Sequence, residues 1–594
     1  MKDFFKSFFA SLIALGVFSA VMFILFIGFI AAAGASKQIT VPSKAVLVFD
    51  LDLNIPDTLR DDDPSQAFQQ AFGQGKALLA LPTAIEALDR ASKDDRIAGL
   101  FLTGNLRPDG YGAGPAALRE LKAALARFKA RKPVIAYNMG WAKRDYYLAS
   151  GVSKLYLHPF GAMEVNGLAA EPMFFGEAFK KYGIEVQVTR VGKYKSAVEP
   201  FILDKMSSEN REQTQKLLDD IWGEWKDSVA ADRRITPAAL QDLADTKGLL
   251  SGEEAMQAGL VDALKPYDEV LDELKKLAGK GPKDRDFPQM DLSTYAAVPD
   301  TALKGSNRIA VVFAEGEIVD GEGRDAQIGG DSMARELRRL RLDDKVKAIV
   351  LRVNSPGGSA AASEVIQREV ILARKVKPVV VSMGTVAASG GYWISTYADR
   401  IFAEPNTITG SIGVFGLLPN VQKLANEHGL TFDRVETAKL ANPFSLVRPK
   451  SEVELARIQS QVDRIYDQFL MKVADSRHKA KDAVHEIAQG RVWSGSEALK
   501  LGLVDELGGL QDAIRDAARR AKIEGDYRLL EGGPRKTPIQ RLLESMGGGE
   551  PRKLAKQGPV GTLLGEAQHQ LLLLESLNDP QGVYARMPID LVVK

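Results

Sequence analysis

The chain contains no cysteine among its 594 residues. This absence excludes disulfide bonds, a thiol nucleophile and zinc sites built on cysteine, although it does not fix the cellular compartment. Histidine is scarce as well: the five histidines are scattered, and none falls in an H-E-x-x-H or similar metal-binding spacing. We therefore expect no metal site and no cofactor.

The chain also lacks an excess of charge of either sign. Lys and Arg together number 78 and Asp and Glu 77, so the formal net charge is +1. Proteins that bind nucleic acid usually carry a strong positive charge that neutralises phosphates, so we expect no nucleic-acid partner. Apolar residues make up 45% of the chain and charged residues 26%, which is typical of a globular protein.

Charge is missing altogether from residues 7–36. The apolar run at 8–35 is about 28 residues long, more than the ~20 that a helix needs to cross a bilayer, and it predicts a transmembrane anchor. A cleaved signal peptide is the alternative, because 33–35 reads A-G-A, but the apolar core of a signal peptide usually has only about 7–15 residues. Lys2 and Lys6 precede the run, which predicts a cytoplasmic N-terminus with the remaining chain across the membrane.

Two stretches of the chain are copies of one plan. Three matched blocks recur in the same order. The first copy has DDRIAGLFLTGN from Asp94, KPVIAYNMG from Lys132 and SGEEAMQAGLVD from Ser251. The second copy has DDKVKAIVLRVN from Asp343, KPVVVSMG from Lys377 and SGSEALKLGLVD from Ser494. The offset between matched blocks drifts only from 249 to 243. After such a duplication, one copy can lose a functional residue as long as the other copy keeps it.

Apolar strand patterns alternate with helical patterns in both copies. This order predicts an α/β fold with parallel sheets, and long amphipathic helices at 207–232 and 450–477 are expected to cover it. The predicted segments are 1–44, an N-terminal transmembrane anchor and stalk; 45–278, a first α/β repeat; 279–305, a linker; 306–531, a second α/β repeat; and 532–594, a tail with a docking helix.

The copies differ at a serine that only the second one has. Ser389 lies between an apolar strand and a helix, and Gly390 and Gly391 follow it. Small neighbours leave its oxygen approachable, and free amides lie at a helix N-terminus. A serine is also a common N-cap, so this string alone leaves both a cap and a nucleophile open.

A second glycine-rich turn, at 354–359, follows another strand of the second copy. Pro356 sets this turn, and the glycines after it leave backbone amides unobstructed. A tetrahedral intermediate needs donors about 3 Å from its oxyanion, and the amides of Gly358 and Gly390 are suitable. Such turns are common in loops, but two of them favour a site, because open α/β sheets bind ligands at the carboxyl ends of their strands.

The general base for Ser389 must be a residue other than histidine, because no histidine lies in a shared block together with a carboxylate partner. A Ser–Lys pair is a known variant of the catalytic triad. The pKa of the lysine must then fall from ~10.4 toward ~7–8, which burial can achieve. Lys195 of the first copy lies among small and apolar neighbours. Aligning RVGKYK with RVETAK places Lys439 of the second copy opposite it, and spacing leaves open which amine reaches the serine.

Four strings resemble the signal peptide peptidase A (protease IV) family in its long, duplicated bacterial form. They are YKSAVEPF at 194–201, NSPGGS at 354–359, ASGGYW at 388–393 and TGSIGVFG at 409–416. The resemblance covers nearly the whole chain and implies tandem ClpP/crotonase-like repeats and a Ser/Lys-dyad endopeptidase. It implies Ser389 as nucleophile, Lys195 as general base, Ser411 as the residue that orients the lysine, and Gly358 as an oxyanion donor.

The resemblance also implies surroundings for the enzyme. It implies a homotetramer held in the bacterial inner (cytoplasmic) membrane by a single-pass helix, with its catalytic part on the periplasmic side. Its substrates would be remnant signal peptides and other apolar peptides left after secretion. Two alternatives stay open: a crotonase-like acyl-CoA enzyme, which shares the amide turns but needs no Ser–Lys pair, and a catalytically inactive membrane scaffold.

Overall fold

The computed structural model describes residues 14–18, 21–22, 39–58, 79–108, 110–299, 305–324, 326–533 and 577–587. Most of the predicted transmembrane run at 8–35 lies outside these residues, as does the leucine-rich stretch at 571–574 on which the predicted docking helix rests. Within the described ranges, no helix is both long enough and apolar enough to span a bilayer.

Strands and helices alternate through both copies, as the apolar patterns predict. The strands are β1 (Ala45–Asp50), β2 (Ile97–Thr103), β3 (Val134–Trp141), β4 (Lys154–Val165), β5 (Glu185–Arg190), β6 (Gly248–Ser251), β7 (Ala263–Leu264), β8 (Gln289–Asp291), β9 (Asn307–Glu315), β10 (Glu317–Val319), β11 (Gln327–Gly329), β12 (Val346–Ser355), β13 (Gly357–Ser359), β14 (Val379–Ala388), β15 (Arg400–Ala403), β16 (Ile408–Gly410), β17 (Phe415–Asn420), β18 (Val492–Ser494), β19 (Glu506–Leu507), β20 (Tyr527–Gly532) and β21 (Tyr584–Arg586).

The helices that accompany these strands follow the same duplicated order. They are α1 (Leu81–Ala91), α2 (Pro115–Lys129), α3 (Lys143–Ala149), α4 (Gly176–Lys181), α5 (Glu199–Ile202), α6 (Ser208–Arg233), α7 (Pro237–Thr246), α8 (Gly252–Gln257), α9 (Tyr267–Leu277), α10 (Leu292–Ala296), α11 (Gly330–Leu342), α12 (Ala360–Arg374), α13 (Gly390–Ser395), α14 (Gln422–Glu427), α15 (Glu452–Ser476), α16 (Lys481–Ile487), α17 (Gly495–Lys500) and α18 (Leu510–Ala521). The two long helices α6 and α15 confirm the predicted ones to within two residues at each end.

Two sheets share one topology, one sheet in each copy. The first runs β6-β4-β3-β2-β1-β8 and the second runs β18-β16-β14-β12-β9-β20. In each, the inner strands pair in parallel and the strand at one edge, β6 or β18, pairs antiparallel. The prediction of two α/β repeats with parallel sheets is therefore confirmed.

Strand β14 of the second sheet ends directly before the candidate nucleophile. The strand is buried along its whole length, as expected of a parallel strand that is covered on both faces. It ends at Ala388, so the next residue, Ser389, emerges at the carboxyl end of a central strand. Open α/β sheets bind ligands at this edge.

The segment predicted as a linker, 279–305, contributes to the first sheet. Strand β8 pairs in parallel with β1, and the helix after it places Leu292 and Tyr295 in the core of the first repeat. The Tyr295 hydroxyl also donates a hydrogen bond to Asp94 at 3.0 Å. This part of the segment is therefore packed structure rather than a free connection, because its apolar residues have a core to enter.

A third sheet joins the two copies. Its order is β11-β10-β13-β21-β17-β5. Strand β5 belongs to the first copy and pairs antiparallel with β17 of the second, with Arg190 opposite Phe415. The chain leaves β5 toward Lys195, so this pairing carries the lysine into the second copy.

A buried ion cluster also joins the copies. Arg352 on β12 is 1% exposed and donates hydrogen bonds to Asp57 at 2.9 Å and to Glu120 at 2.7 Å, both from the first copy. The second carboxylate oxygen of Glu120 accepts a hydrogen bond from the Leu510 amide at 2.7 Å. In this cluster, a buried cation of the second copy compensates buried carboxylates of the first copy.

Candidate active site

Ser389 occupies a sharp corner between β14 and α13. Its backbone has φ 56° and ψ −111°, a region that residues other than glycine seldom adopt. Its amide donates to the Gly410 carbonyl at 2.8 Å, and its carbonyl accepts from the Trp393 amide at 2.7 Å. The side chain makes no capping hydrogen bond to the helix; its hydroxyl donates a long hydrogen bond to the Gly413 carbonyl at 3.4 Å and has a closer partner as well.

The closer partner of the Ser389 hydroxyl is Lys195 of the first copy. Its Nζ lies 2.8 Å from Ser389 Oγ and 3.0 Å from both Oγ and the carbonyl oxygen of Ser411. The lysine is 0% exposed, and both serines are fully buried as well. The structure therefore brings together the three residues that the resemblance assigns to the dyad and its support.

The surroundings of Lys195 disfavour the charged amine. Burial lowers the pKa of Lys195 well below its ordinary value of 10.5, and the positive charge of Arg586 lowers this pKa further. Both causes act in the same direction, because an ammonium group loses hydration on burial and is repelled by a second cation. Both causes therefore favour the neutral amine, which is the form that can accept a proton.

Backbone contact with the second copy holds the lysine loop in place. The Tyr194 amide donates to the Gln489 carbonyl at 3.0 Å. Gly490 follows with φ +83°, and a Cβ added to it would lie 2.6 Å from the Lys195 nitrogen. Only glycine fits here, since a side chain would push the lysine backbone away.

Gln213 on α6 holds the same loop from the other side. Its Nε2 donates to the Tyr194 carbonyl at 3.0 Å and to Ser196 Oγ at 2.9 Å, while its Oε1 accepts from the Val492 amide at 3.2 Å. Sequence analysis missed both Gln213 and Gly490. Neither stands in one of the four diagnostic strings, and their contacts are made between the copies.

The rival lysine lies elsewhere. Lys439 is in an exposed stretch between α14 and α15, whereas Lys195 contacts Ser389 directly. Lys195 and Lys439 occupy matching positions in the aligned copies, but the loops that carry them lie in different places in the structure. Of the two, the geometry selects Lys195 as the partner of the serine.

The two glycine-rich turns converge beside Ser389. Gly357 has φ +98°, and a Cβ added there would lie 2.6 Å from the Gly390 amide nitrogen. Gly358 has φ +154°, and its added Cβ would lie 1.9 Å from the Ile318 carbonyl oxygen. These positions require glycine, and the first of them brings one turn against the Gly390 amide, which directly follows Ser389 in the chain.

The comparisons with known proteins agree in assigning the chain to one family. Peptidase family S49 matches residues 126–280 and 371–524, one match in each copy. The chain is 36% identical to Protease 4 of Haemophilus influenzae over 95% of both chains. It is 33% identical to the chloroplastic serine protease SPPA of Arabidopsis thaliana, over 88% of this chain and 76% of that one.

Solved structures add little to this assignment. A ClpP1 mutant from Listeria monocytogenes is 16% identical and covers 34% of this chain and 94% of its own, with a TM-score of 0.23, too low to establish a shared arrangement. The family match recurs in both copies, and the relatives span nearly the whole chain. The protein therefore belongs to peptidase family S49, in its duplicated form, and is a serine protease.

Proposed function

We propose that the protein is an endopeptidase in which Ser389 attacks the peptide carbonyl and Lys195 takes the proton of the hydroxyl. One observation carries this proposal: a fully buried amine, with a lowered pKa, lies 2.8 Å from Ser389 Oγ. A serine hydroxyl is a weak nucleophile until a neighbour accepts its proton. A lysine can do so near neutral pH only when it is uncharged.

The hydrogen bonds of the amine fit this role. A neutral amine has two hydrogens and one lone pair. The two hydrogens have acceptors in the Ser411 hydroxyl and carbonyl oxygens, each at 3.0 Å. The lone pair is then directed at the hydroxyl of Ser389, so Ser411 orients the base.

The oxyanion that forms after attack needs donors as well. The amides of Gly358 and Gly390 supply them, because both lie in the turns that converge on Ser389. Fixed amides of this kind stabilise the developing charge without reorganising during the reaction.

Substrates of the proposed enzyme are apolar peptides, above all the remnant signal peptides left after secretion. Apolar side chains next to the nucleophile support this choice. The buried cluster beside the end of β14 contains Leu217, Ile221, Val386, Ala388, Ile408, Val492 and Met587. Apolar surroundings of this kind favour an apolar side chain and offer no partner to a charged one.

The proposed setting is the bacterial inner membrane. The uncharged run at 8–35 would be the single-pass anchor, and the catalytic part would lie in the periplasm, close to the source of apolar peptides. We also propose a homotetramer of ClpP/crotonase-type repeats. Exposed apolar residues between α14 and α15 support a partner surface: Phe432 is 50% exposed and Val435 97%. Native mass spectrometry of the detergent-solubilised chain tests the tetramer.

A matched pair of lysine variants tests the mechanism. Lys195→Ala removes the base, and Lys193→Ala, two residues away in the same loop, removes an exposed lysine. We expect Lys195→Ala to lower kcat/KM for a fluorogenic apolar peptide about 10²–10⁴-fold, and Lys193→Ala to leave it within a factor of three. A result in which Lys195→Ala stays active while Lys439→Ala is inactive would reverse the assignment.

A covalent probe separates this proposal from an inactive scaffold. A peptide chloromethyl ketone or a fluorophosphonate should label Ser389, and Ser389→Ala should abolish both labelling and cleavage while the melting temperature is preserved. An unlabelled, inactive full chain would support the scaffold instead.

A further inference from the structure

One arginine of the second copy reaches the loop that carries the proposed base. The guanidinium carbon of Arg491 lies over two aromatic rings, 4.7 Å from the centroid of Tyr194 and 4.5 Å from that of Trp493. A guanidinium group stacks favourably on an aromatic face within about 6 Å. Tyr194 belongs to the first copy and Trp493 to the second, so this cation bridges the copies.

Polar contacts fix the orientation of the same guanidinium. Its Nη1 donates to the Tyr194 hydroxyl at 3.1 Å and lies 3.0 Å from Glu212 Oε1 on α6. The Tyr194 hydroxyl in turn donates to Glu212 Oε2 at 3.2 Å. Each of the three side chains thus contacts the other two. Together they tie Tyr194, the residue directly before Lys195, to the second copy.

The backbone of Arg491 contacts the residue that orients the base. Its carbonyl accepts a hydrogen bond from the Ser411 amide at 2.7 Å, and the amide of the preceding residue, Gly490, donates to the Ile412 carbonyl at 2.9 Å. One residue therefore holds the loop of the base through its side chain and the loop of Ser411 through its backbone.

The position of Lys195 makes a link of this kind necessary. Its amine ends a flexible four-carbon stem, yet Nζ lies 2.8 Å from an oxygen that belongs to the other copy. A misplacement of about 1 Å between reacting groups can lower a rate about 100-fold. Movement of the lysine loop against the second copy is therefore movement of the base away from Ser389.

Arg491 also covers a ring beside the buried amine. Tyr194 is 8% exposed and Lys195 0%. Lys193 lies over the same ring at 5.2 Å, but it is exposed and belongs to the same loop, so it cannot hold that loop against the second copy. Loss of Arg491 would uncover the ring and admit water toward the amine, which would raise the pKa of Lys195 back toward its ordinary value.

We propose that Arg491 is a positioning residue for the base. It acts through Tyr194 and Ser411, keeps Lys195 Nζ within reach of Ser389 Oγ, and closes the lysine loop against solvent. The inference rests on the proposed function, because it takes Lys195 as the base. Arg491 itself takes no part in the chemical step.

The pH profile of an Arg491→Ala full chain tests the inference. We expect kcat/KM on a fluorogenic apolar peptide to fall about tenfold or more at pH 7. The midpoint of its rise with pH should move upward by about one pH unit or more, because the amine becomes less buried. A role in stability alone would lower Tm and leave this midpoint where it was.

Arg400→Ala is the matched control. Arg400 also lies over an aromatic ring, that of Phe402 at 5.6 Å, and also forms an ion pair with a glutamate, Glu506. It pairs with Val380 near the start of β14, however, whereas the site lies at the end of that strand. Arg400→Ala should therefore leave both kcat/KM and the midpoint unchanged.

Tyr194→Phe gives a second variant, which keeps the ring and removes the hydroxyl. We expect it to lower kcat/KM about threefold or more and to move the midpoint in the same direction as Arg491→Ala. The two substitutions break one shared contact, so the double variant should lose less activity than the product of the two single losses. Losses that multiply in full would contradict an action of Arg491 through Tyr194.

The outcomes distinguish the two proposals. If kcat/KM of Arg491→Ala is unchanged, or falls by one factor at every pH, while Ser389 is still labelled, the positioning role is overturned and the proposed peptidase stands. If Arg491→Ala does not fold, an unmoved midpoint in Tyr194→Phe overturns the role in the same way. Absence of cleavage and labelling in every chain, the unsubstituted one included, would overturn the peptidase and the positioning role with it.

Discussion

At the scale of the residue, Lys195 shows how burial sets the chemistry of a side chain. An exposed lysine is charged at neutral pH, but this one has no solvent contact and a cation nearby. Its hydrogen-bond partners are neutral oxygens of Ser389 and Ser411. Burial and the nearby cation therefore favour an uncharged amine beside a buried hydroxyl, as the proposed mechanism requires.

The pH dependence of activity follows from the lowered pKa. We expect kcat/KM to rise with pH as the Lys195 amine loses its proton, and to reach a plateau well below pH 10.5. Steady-state rates on an apolar peptide between pH 5 and pH 10.5 measure this curve. A rate that is still climbing at pH 10 would show that the base has the pKa of an ordinary lysine.

The same shift has an effect on stability. Because the folded-state pKa of Lys195 lies below the unfolded value, the unfolded chain binds more protons, and stability rises with pH up to about 10.5. We expect Lys195→Met to remove this dependence and to melt no lower than the original chain at pH 7. The difference in Tm should shrink as the pH approaches 10. A large loss of Tm at pH 7 would mean that the amine stabilises the fold.

At the scale of the element, the loop that follows α16 decides where the lysine lies. Gly490 and Gly429 both have positive φ, at +83° and +77°, but an added Cβ meets Lys195 at the first position and open space at the second. Alanine at positive φ costs about 1–2 kcal/mol at either site. We expect Gly490→Ala to lower kcat/KM more than tenfold and Gly429→Ala to leave it unchanged.

Equal activity of these two glycine variants would show that the contact between Gly490 and the lysine loop does not position the base. Their Tm values measure the backbone cost that both substitutions share, to which Gly490→Ala adds the contact with Lys195. Only the activity separates the two roles.

The elements that could be predicted are those whose signal is local. β12, β14 and the long helices follow from apolar runs and helical periodicity, and Ser389 from its place between strand and helix. The third sheet could not be predicted, because β13 and β21 have only three residues each and take their strand form from distant partners. Gln213 was missed for the same reason, since its hydrogen bonds cross between the copies.

At the scale of the whole molecule, the buried cluster around Arg352 holds the two copies together. Burial raises the pKa of Glu120, and the guanidinium of Arg352 opposes that rise. Arg352→Ala would leave the Asp57 and Glu120 carboxylates buried without their cation. We expect it to lower the free energy of unfolding by about 3–5 kcal/mol, measured by chemical denaturation at pH 7.

A surface arginine is the control for this prediction. Arg338 forms an ion pair with Glu369 at 2.7 Å, but its side chain is 56% exposed. Arg338→Ala should cost no more than about 1 kcal/mol. Similar losses for the two variants would contradict a special role for the cluster between the copies.

The split origin of the dyad has a consequence for how the enzyme is made. The amine follows β5 of the first copy, and the hydroxyl follows β14 almost two hundred residues later. The ribosome synthesises the two copies in sequence, so a nascent chain contains the proposed base before the proposed nucleophile has been made. Under the proposed mechanism, the chain would therefore be inactive until its second half has been translated and has folded onto the first.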